Sequence, residues 1–173
     1  FTSVTVGQNN LNAPDGLHQC RVGECLSGLI ATDSMLDYGR AYGAQIALIN
    51  GGGLRAPLRQ GALNYGDMLA VLPFGNKVII RDFTGEQLLQ ALEHGVADYK
   101  GVGAPVLHTA GLRYVYNPAL PSGKRIVRAE LLGEGETTKA LVPTARYRVA
   151  LVDYLERRGD GYAMLAKGTP VDT

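Results

Sequence analysis

A chain of 173 residues with 46% hydrophobic and 19% charged side chains has the composition of one soluble globular domain. The formal net charge of +1 leaves no excess of basic side chains for binding nucleic acid or an anionic membrane surface. No apolar stretch reaches the length of a membrane-spanning helix, and we expect neither a membrane segment nor a signal peptide. The opening at Phe1 suggests a processed or excised fragment, and residues 1–173 are interpreted as a single domain.

Apolar periodicity and turn residues predict which segments form helices and strands. Helices are expected over Glu24 to about Tyr38, Tyr65–Leu72 and Thr84–Gly95, and a loop over 9–16. Strands are expected over Val4–Val6, Ile46–Ile49, Lys77–Phe83, Leu112–Tyr116, Ile126–Leu132, Lys139–Val142 and Tyr147–Val152. Thr84, with Gln87 three residues later, has the form of a capping box. Helices concentrated in the first hundred residues, with antiparallel strands after them, favour an α+β fold.

The two cysteines, Cys20 and Cys25, have four residues between them. This is not the two-residue spacing of redox or zinc pairs, and no cluster of histidine or cysteine stands nearby to complete a metal site. A local disulfide would imply an oxidising compartment and would shape the segment around Arg21. It would stabilise the fold by only roughly 2 kcal/mol, because the closed loop is short. Two unrelated buried thiols are the alternative.

The stretch Asn50-Gly-Gly-Gly-Leu-Arg55 follows the predicted buried strand Ile46–Ile49. Glycines allow a backbone to turn tightly and to approach a bound group closely, and the amide and guanidinium at its two ends suit a ligand site. No Gly-Lys-Ser/Thr follows the glycines, so the stretch is not a P-loop. On this pattern alone, a structural turn is favoured over a ligand site.

The sequence lacks the common catalytic patterns. The three histidines, His18, His94 and His108, have no metal-ligand spacing, and neither a Gly-x-Ser-x-Gly elbow nor a cysteine–histidine pairing is present. His94 falls in the last turn of a predicted helix, where we expect it to complement the helix dipole. The chain by itself is therefore expected to catalyse no hydrolysis.

Side chains at several separate turns could together bind a planar ligand. Phe74 lies at the tip of a Pro-Phe-Gly turn, and Tyr154 precedes the Gly159-Asp-Gly161 turn. Aromatic rings stack on bases, carboxylates accept hydrogen bonds from ribose hydroxyls, and guanidinium groups such as those of Arg21 and Arg55 bind phosphate oxygens. Each aromatic could equally be a core residue at the end of a strand.

Five motifs in a fixed order carry a family resemblance. They are Glu24–Met35, Ala47–Arg55, Tyr65–Asn76, Phe83–Leu88 and Gly159–Tyr162. Together they resemble the C-terminal, substrate-binding domain of the 5'-nucleotidase family, which includes UDP-sugar hydrolases and 2',3'-cyclic phosphodiesterases. The resemblance extends from about Val4 to Ala166 and implies mixed β-sheets layered with helices.

The resemblance also implies how this chain would work within a larger protein. It would recognise a nucleotide or nucleoside and present the phosphate ester to a separate N-terminal metallophosphoesterase domain, absent from this chain. Two divalent metal ions would be held by that domain, and no cofactor by this one. The parent protein would be a secreted hydrolase, extracellular or periplasmic. The alternative is a non-catalytic interaction module with the same fold.

Roles for individual residues follow from the matched motifs. Phe74 and Tyr154 would stack on the base, and Asn50 would bond to the base edge beside Gly52. Arg21 and Arg55 would contact phosphate or ribose oxygens, and Asp160 would accept hydrogen bonds from the ribose hydroxyls. Cys20 and Cys25 would form the short disulfide found in animal ecto-enzymes of the family. Tyr154 stands where phenylalanine is commoner in the family, and it keeps the stacking face. The base, the number of phosphates, the particular hydrolytic activity and the oligomeric state stay open.

Overall fold

The computed structural model describes residues 19–58, 61–98, 105–133 and 137–171. The predicted strand Val4–Val6, the loop over 9–16 and His18 lie outside these ranges. The helices are α1 Gln19–Val22, α2 Leu26–Arg40, α3 Tyr65–Val71, α4 Gly85–Gly95 and α5 Asp153–Glu156. The strands are β1 Ile46–Asn50, β2 Val78–Thr84, β3 Leu107–Ala110, β4 Leu112–Tyr116, β5 Ile126–Leu132, β6 Thr138–Ala140, β7 Arg146–Val152 and β8 Thr169–Pro170. Short 3-10 turns occupy Gly51–Gly53, Gly159–Gly161 and Leu165–Lys167.

The strands form two sheets. The larger has the order β3-β1-β7-β2-β8; its central pair, β1 and β7, is parallel, and its other neighbouring pairs are antiparallel. The smaller sheet, β4-β5-β6, is antiparallel. The predicted α+β class with mixed sheets and layered helices is therefore confirmed. No helix within the described ranges combines the length and the apolar character needed to cross a bilayer.

The core lies around the parallel pair. All five residues of β1 are buried, and Val149–Leu151 of β7 are fully buried beside them. The unbroken apolar run Ile46–Ile49 fits this position, because a central strand covered on both faces has no polar side to present. Helix α2 packs against β1, β3 and β7.

Helix α2 buries a stripe of small residues together with Met35 and Leu36. Leu26, Leu29 and Ile30 are only half-buried, whereas the small residues Ser27, Gly28, Ala31 and Thr32 are buried. The reason is close approach to β3, since a Cβ placed on Gly28 would lie 2.2 Å from Nδ1 of His108. A stripe of small residues carries little hydrophobic signal, so the apolar pattern alone misses it.

The capping boxes define where two helices begin. The hydroxyl of Thr84 accepts a hydrogen bond from the backbone of Gln87 at 3.2 Å, and the Gln87 side chain accepts one from the backbone of Thr84 at 2.8 Å. The predicted capping box of α4 is thus confirmed. An equivalent box, not predicted, joins Asn64 and Asp67 at the start of α3.

Three short strands depart from the sequence prediction. Strands β3 and β8 were not predicted, and β6 covers Thr138–Ala140 rather than Lys139–Val142. Strand β3 has only four residues, and it is ordered by antiparallel pairing with β1, more than fifty positions earlier. Val142 leaves the strand because its backbone NH donates to the hydroxyl of Tyr147 instead of to a neighbouring strand.

The parallel pairing brings distant loops to one edge of the larger sheet. Since β1 and β7 run in the same direction, their carboxyl ends meet there, and the antiparallel β2 begins at that same edge, where Val78 pairs with Val152. Reciprocal bonds fix the junction: the Lys77 NH donates to Oδ1 of Asp153 at 3.0 Å, and the Asp153 NH donates to the Lys77 carbonyl at 2.9 Å. The turns that follow β1 and β7 and precede β2 are therefore neighbours.

Candidate functional site

A cavity of about 400 Å³ opens at this edge of the sheet. All of the site residues predicted from the sequence line it: Arg21, Asn50, Gly52, Arg55, Phe74, Tyr154 and Asp160. They come from α1, the end of β1, the turn before β2 and the segment after β7. The structure thus brings them together, while their roles as ligand contacts stay predictions.

The carboxylate of Asp160 is held by two side chains. Nδ2 of Asn50 donates to Oδ2 of Asp160 at 2.6 Å, and the hydroxyl of Tyr154 donates to Oδ1 at 2.8 Å. The backbone NH of Asp160 donates in return to that hydroxyl at 3.2 Å. Asp160 is nevertheless exposed, and because each carboxylate oxygen can accept more than one hydrogen bond, it can still receive donors from a ligand.

Asn50 is almost completely buried, with 2% of its surface exposed. Its Nδ2 is already engaged by Asp160, and its Oδ1 has no hydrogen-bond partner within the part of the chain that the structure describes. A bond from Asn50 to a base edge stays a prediction; the second hydrogen of Nδ2 and the oxygen Oδ1 are the groups without a partner among the described residues. The observed bond makes Asn50 a support for Asp160 in any case.

The turn that carries Asp160 is wound in the left-handed region. Arg158 has φ 66°, Asp160 has φ 50° and Gly161 has φ 81°. Asp is among the few non-glycine residues that tolerate this conformation, whereas Arg is seldom found in it. The backbone carbonyl of Asp160 also lies 2.8 Å from Nε2 of His94, at the end of α4. Beyond the dipole role predicted for it, His94 therefore contacts the site turn directly.

Phe74 and Tyr154 are both exposed, with 59% and 39% of their surfaces accessible. The alternative interpretation of these rings as core residues is therefore wrong. The ring of Tyr154 lies over Gly159, where a Cβ would come 2.3 Å from a ring carbon. The hydrogen bond from its hydroxyl to the Asp160 carboxylate, together with partial burial, raises the pKa of Tyr154. Two accessible aromatic rings thus border one cavity.

Two guanidinium groups border the same cavity. The Arg55 guanidinium lies 5.9 Å from the centre of the Phe74 ring, a cation–π distance. A Cβ placed on Gly52 would lie 3.6 Å from Cζ of Arg21, an ordinary van der Waals distance, so Arg21 lies beside the glycine turn. With Asp160 as the one carboxylate among the lining residues, the cavity wall carries a formal excess of positive charge.

The predicted disulfide is present between Cys20 and Cys25, with an S–S distance of 2.04 Å. It closes the segment that contains Arg21, and α1 packs directly on the glycine turn, since a Cβ on Gly51 would lie 1.8 Å from the Cys20 carbonyl oxygen. That oxygen also lies 2.9 Å from Nε2 of His108. Burial lowers the pKa of His108, which favours a neutral ring that donates to this carbonyl. The disulfide and the packing of α1 on the glycine turn therefore position Arg21.

The described residues do not supply a metal centre. The group of three possible ligands among them is Cys20, Cys25 and His108, all buried. Its two sulfur atoms are joined in the disulfide, so the group offers no thiolate. A pair of divalent cations needs several carboxylate, imidazole or amide ligands around it, and this group does not fit one.

Three residues of the site were missed at the level of sequence. Gly53 and Asn76 line the cavity, and His94 supports Asp160 from outside it. Asn76 had a signal, because it is the amide two positions after Phe74 in the same predicted turn. His94 had none, since its partner is a backbone carbonyl 66 positions away.

These observations define an α+β unit with a polar, aromatic-bordered cavity built by loops at one edge of a mixed sheet. Residues 5–167 match the family described as 5'-nucleotidase, C-terminal domain, and the chain belongs to that family. The resemblance found in the sequence is thereby confirmed.

Individual relatives agree with this assignment. The chain is 30% identical over 165 residues to the trifunctional nucleotide phosphoesterase protein YfkN of Bacillus subtilis, covering 95% of this chain and 11% of that protein. It is 29% identical over 183 residues to the snake venom 5'-nucleotidase of Naja atra, covering 95% and 34%. The crystal structure of a 5'-nucleotidase precursor from Thermus thermophilus superimposes with a TM-score of 0.86 at 38% identity, covering 91% of this chain and 31% of that one. The chain thus spans about a third or less of each relative.

Proposed function

We propose that residues 1–173 form a single nucleotide-recognition domain that binds a nucleoside or nucleotide in the cavity at the edge of the larger sheet. One observation carries the proposal: two accessible aromatic rings, a doubly held carboxylate and two guanidinium groups border one cavity of about 400 Å³. These groups match, in kind, the base, the ribose and the phosphate of a nucleotide.

The base would stack on Phe74 and Tyr154. Both rings are accessible, and each stacking contact with a base contributes roughly 1–3 kcal/mol in proteins that bind single strands. The base edge would be read by the side-chain amides of Asn50 and of Asn76, which lies in the turn that carries Phe74.

The ribose hydroxyls would donate to Asp160. The bonds from Asn50 and Tyr154 fix the carboxylate before a ligand arrives, so little side-chain entropy is lost on binding. A hydrogen bond to a charged acceptor is stronger than one between neutral groups, which suits a contact that must compete with water.

The phosphate would lie on the side of Arg21 and Arg55. Guanidinium groups bind phosphate oxygens through two parallel hydrogen bonds, and neither of these forms an ion pair with a carboxylate of the described residues. Gly52 leaves open the space beside Arg21 that a phosphate would need. The excess of positive charge favours a nucleotide over an uncharged nucleoside.

The whole protein would be a 5'-nucleotidase-type hydrolase that acts in nucleotide breakdown. A separate N-terminal metallophosphoesterase domain would hold two divalent metal ions and activate water, and this chain would present the substrate to it. The names of the relatives, a nucleotide phosphoesterase and a 5'-nucleotidase, support this proposal. An extracellular or periplasmic location fits the disulfide and the venom relative.

Calorimetric titration of AMP and adenosine into the chain tests the proposal. We expect AMP to bind, and Phe74→Ala and Tyr154→Ala each to weaken binding about tenfold or more, the loss of one base stack. Tyr65→Ala is the matched control, since Tyr65 is an aromatic residue with 78% of its surface exposed that lies outside the cavity. Absence of AMP binding by the wild type would overturn the proposal and favour an interaction module.

A second assay tests the division of labour between the two domains. The isolated chain, incubated with AMP and added Mn²⁺ or Zn²⁺, is expected to release no phosphate, because its described residues do not supply a metal centre. Robust turnover would contradict the assignment of catalysis to a separate domain.

A further inference from the structure

We infer that His94 is a positioning residue for ribose recognition: it fixes the backbone of Asp160, and through it the carboxylate that receives the sugar hydroxyls. The inference rests on the proposed function, because it assumes that Asp160 takes the ribose. His94 is not among the residues that line the cavity, so it acts through Asp160 and does not touch the ligand.

His94 donates a hydrogen bond to the backbone of Asp160 and packs against Tyr162. Nε2 of His94 lies 2.8 Å from the backbone carbonyl oxygen of Asp160, which can only accept, so Nε2 carries the hydrogen and donates. The imidazole meets the ring of Tyr162 edge to face, with centroids 4.7 Å apart and an interplanar angle of 77°. Tyr162 is fully buried and donates its hydroxyl to the Pro105 carbonyl. His94 is therefore fixed by the core before it meets the site turn.

The helix that carries His94 ends against the same support. Helix α4 begins at its capping box and runs to Gly95, where a Cβ would lie 2.8 Å from the Tyr162 hydroxyl. This close approach leaves the end of the helix little freedom to shift along its axis. The close packing of the end of α4 on Tyr162 therefore fixes the position of the His94 imidazole relative to the site turn.

The site turn needs such a support, because its backbone is unusual. Asp160 and Arg158 are both in the left-handed region, which costs free energy for any residue with a Cβ. The bonds from Asn50 and Tyr154 hold the side chain of Asp160. The peptide that follows Asp160 is held at both of its polar groups: the Gly161 NH donates to the Arg158 carbonyl at 3.1 Å, within the turn, and His94 donates to the Asp160 carbonyl from outside the turn. His94 thus makes the contact that ties this peptide to helix α4.

A positioning role predicts an effect that a purely structural role does not. If His94 only stabilised the fold, its loss would weaken the binding of every ligand equally. If it positions Asp160, its loss weakens only those ligands whose sugar hydroxyls contact Asp160. AMP and 2',3'-dideoxy-AMP differ only in these hydroxyls, so the ratio of their dissociation constants isolates the contact.

The experiment titrates both ligands into the wild type and into Asp160→Asn, His94→Leu, His94→Gln and His94→Asn. Asp160→Asn keeps a residue that tolerates the left-handed conformation. It measures the effect of losing the carboxylate, which we expect to raise the dissociation constant of AMP about tenfold and to leave that of the dideoxy ligand unchanged. His94→Leu is expected to raise the dissociation constant of AMP about fivefold, the order of one hydrogen bond, and that of the dideoxy ligand less than twofold. Gln90→Leu, an exposed position one turn earlier on α4, is the matched control and is expected to change neither constant.

The conservative variants keep the test decisive if His94→Leu folds poorly. Glutamine can place its side-chain NH near the position of Nε2, so His94→Gln should bind AMP as the wild type does; asparagine is too short, so His94→Asn should show the selective loss. Equal losses for both ligands, or no loss in any His94 variant while Asp160→Asn shows one, would overturn the inference but leave the proposed function standing. If Asp160→Asn itself leaves AMP binding unchanged, ribose recognition by Asp160 fails, and the role of His94 fails with it.

Discussion

Nδ2 of Asn50 donates a hydrogen bond of 2.6 Å to Oδ2 of Asp160, across 110 positions of the chain. Asn50 ends β1, and Asp160 lies in the turn that follows β7 and α5. The bond exists because β1 and β7 run parallel and place their carboxyl ends side by side. It couples the centre of the sheet to the carboxylate that we assign to the ribose.

Asn50→Asp replaces the donor of this bond with a carboxylate that faces Asp160. We expect the free energy of unfolding at pH 7 to fall by about 2–3 kcal/mol, because a buried hydrogen bond is lost and like charges meet. The repulsion raises the pKa of one carboxyl group in the folded state above its unfolded value, so the penalty is small below about pH 4 and grows as the pH rises. Urea denaturation at several pH values measures it. Asn117→Asp, at an exposed position, is the control, and a penalty that does not change with pH would contradict the prediction.

Tyr154→Phe separates the two roles of Tyr154. The variant keeps the ring but loses the hydroxyl that donates to Oδ1 of Asp160. We expect AMP to bind about two- to fivefold more weakly, the order of one hydrogen bond, compared with about tenfold or more for Tyr154→Ala, which also loses the stack. Calorimetry checks the order of the three proteins. Equal losses in the two variants would show that the ring does not stack.

Substitution of the adjacent glycines Gly51 and Gly52 by alanine should have different effects, on stability for Gly51 and on AMP affinity for Gly52. A Cβ on Gly51 would lie 1.8 Å from the backbone oxygen of Cys20, so Gly51→Ala should lower the free energy of unfolding by about 1–3 kcal/mol or more. A Cβ on Gly52 would lie 3.2 Å from Oδ2 of Asp160 and 3.3 Å from Nδ2 of Asn50, side-chain atoms that can shift slightly. Gly52→Ala should therefore keep its melting temperature and lose AMP affinity. Thermal unfolding and calorimetry distinguish the two, and matching profiles would contradict the prediction.

Removal of the disulfide should weaken phosphate binding more than nucleoside binding. The double variant Cys20→Ser/Cys25→Ser is expected to lose about 2 kcal/mol of stability, as for a short closed loop. Because Arg21 lies between the two cysteines, we expect AMP affinity to fall more than adenosine affinity. Arg21→Gln, which keeps the disulfide, should show the same selectivity without the loss of stability. An equal fall for both ligands in the double variant would count against the link to Arg21.

The pair Asp82–Arg148 should make stability depend on pH in acid. Nε of Arg148 donates to Oδ1 of Asp82 at 2.8 Å, and Nη2 donates to Oδ2 at 3.2 Å. These hydrogen bonds lower the pKa of Asp82. A folded-state pKa below the unfolded value of about 3.9 gives stability that is fully present above that value and is lost as the pH falls through the folded one. Asp82→Asn should be less stable than the wild type at pH 7, with the gap closing in acid. Thermal unfolding across pH 2–7 measures the gap, and a constant gap would exclude this linkage.

Local features of the fold were predictable, and distant contacts were not. The start of α4 follows from Thr84 and Gln87, whose interaction lies within one helical turn. The burial of the small residues of α2 could not be read from the apolar pattern, because Gly28 lies against His108, eighty positions away on a strand that carries no signal of its own. In the candidate site, the residue types and the family motifs indicated Phe74, Tyr154 and the rest of the predicted set. What holds them, the bonds from Asn50 and His94 to Asp160, depends on the pairing of β1 with β7 and could not be seen in the sequence.

The parallel pairing of β1 with β7 also determines when the cavity can form. Ile46 pairs with Val149, which closes a loop of about a hundred residues, a slow step with a large entropic cost during folding. No partially folded chain that lacks this pairing has a cavity, so any ligand that enters it binds only the native state. At a free concentration one hundred times its dissociation constant, such a ligand adds about 2.7 kcal/mol to the free energy of unfolding. Amide hydrogen exchange should then slow along both central strands, β1 and β7.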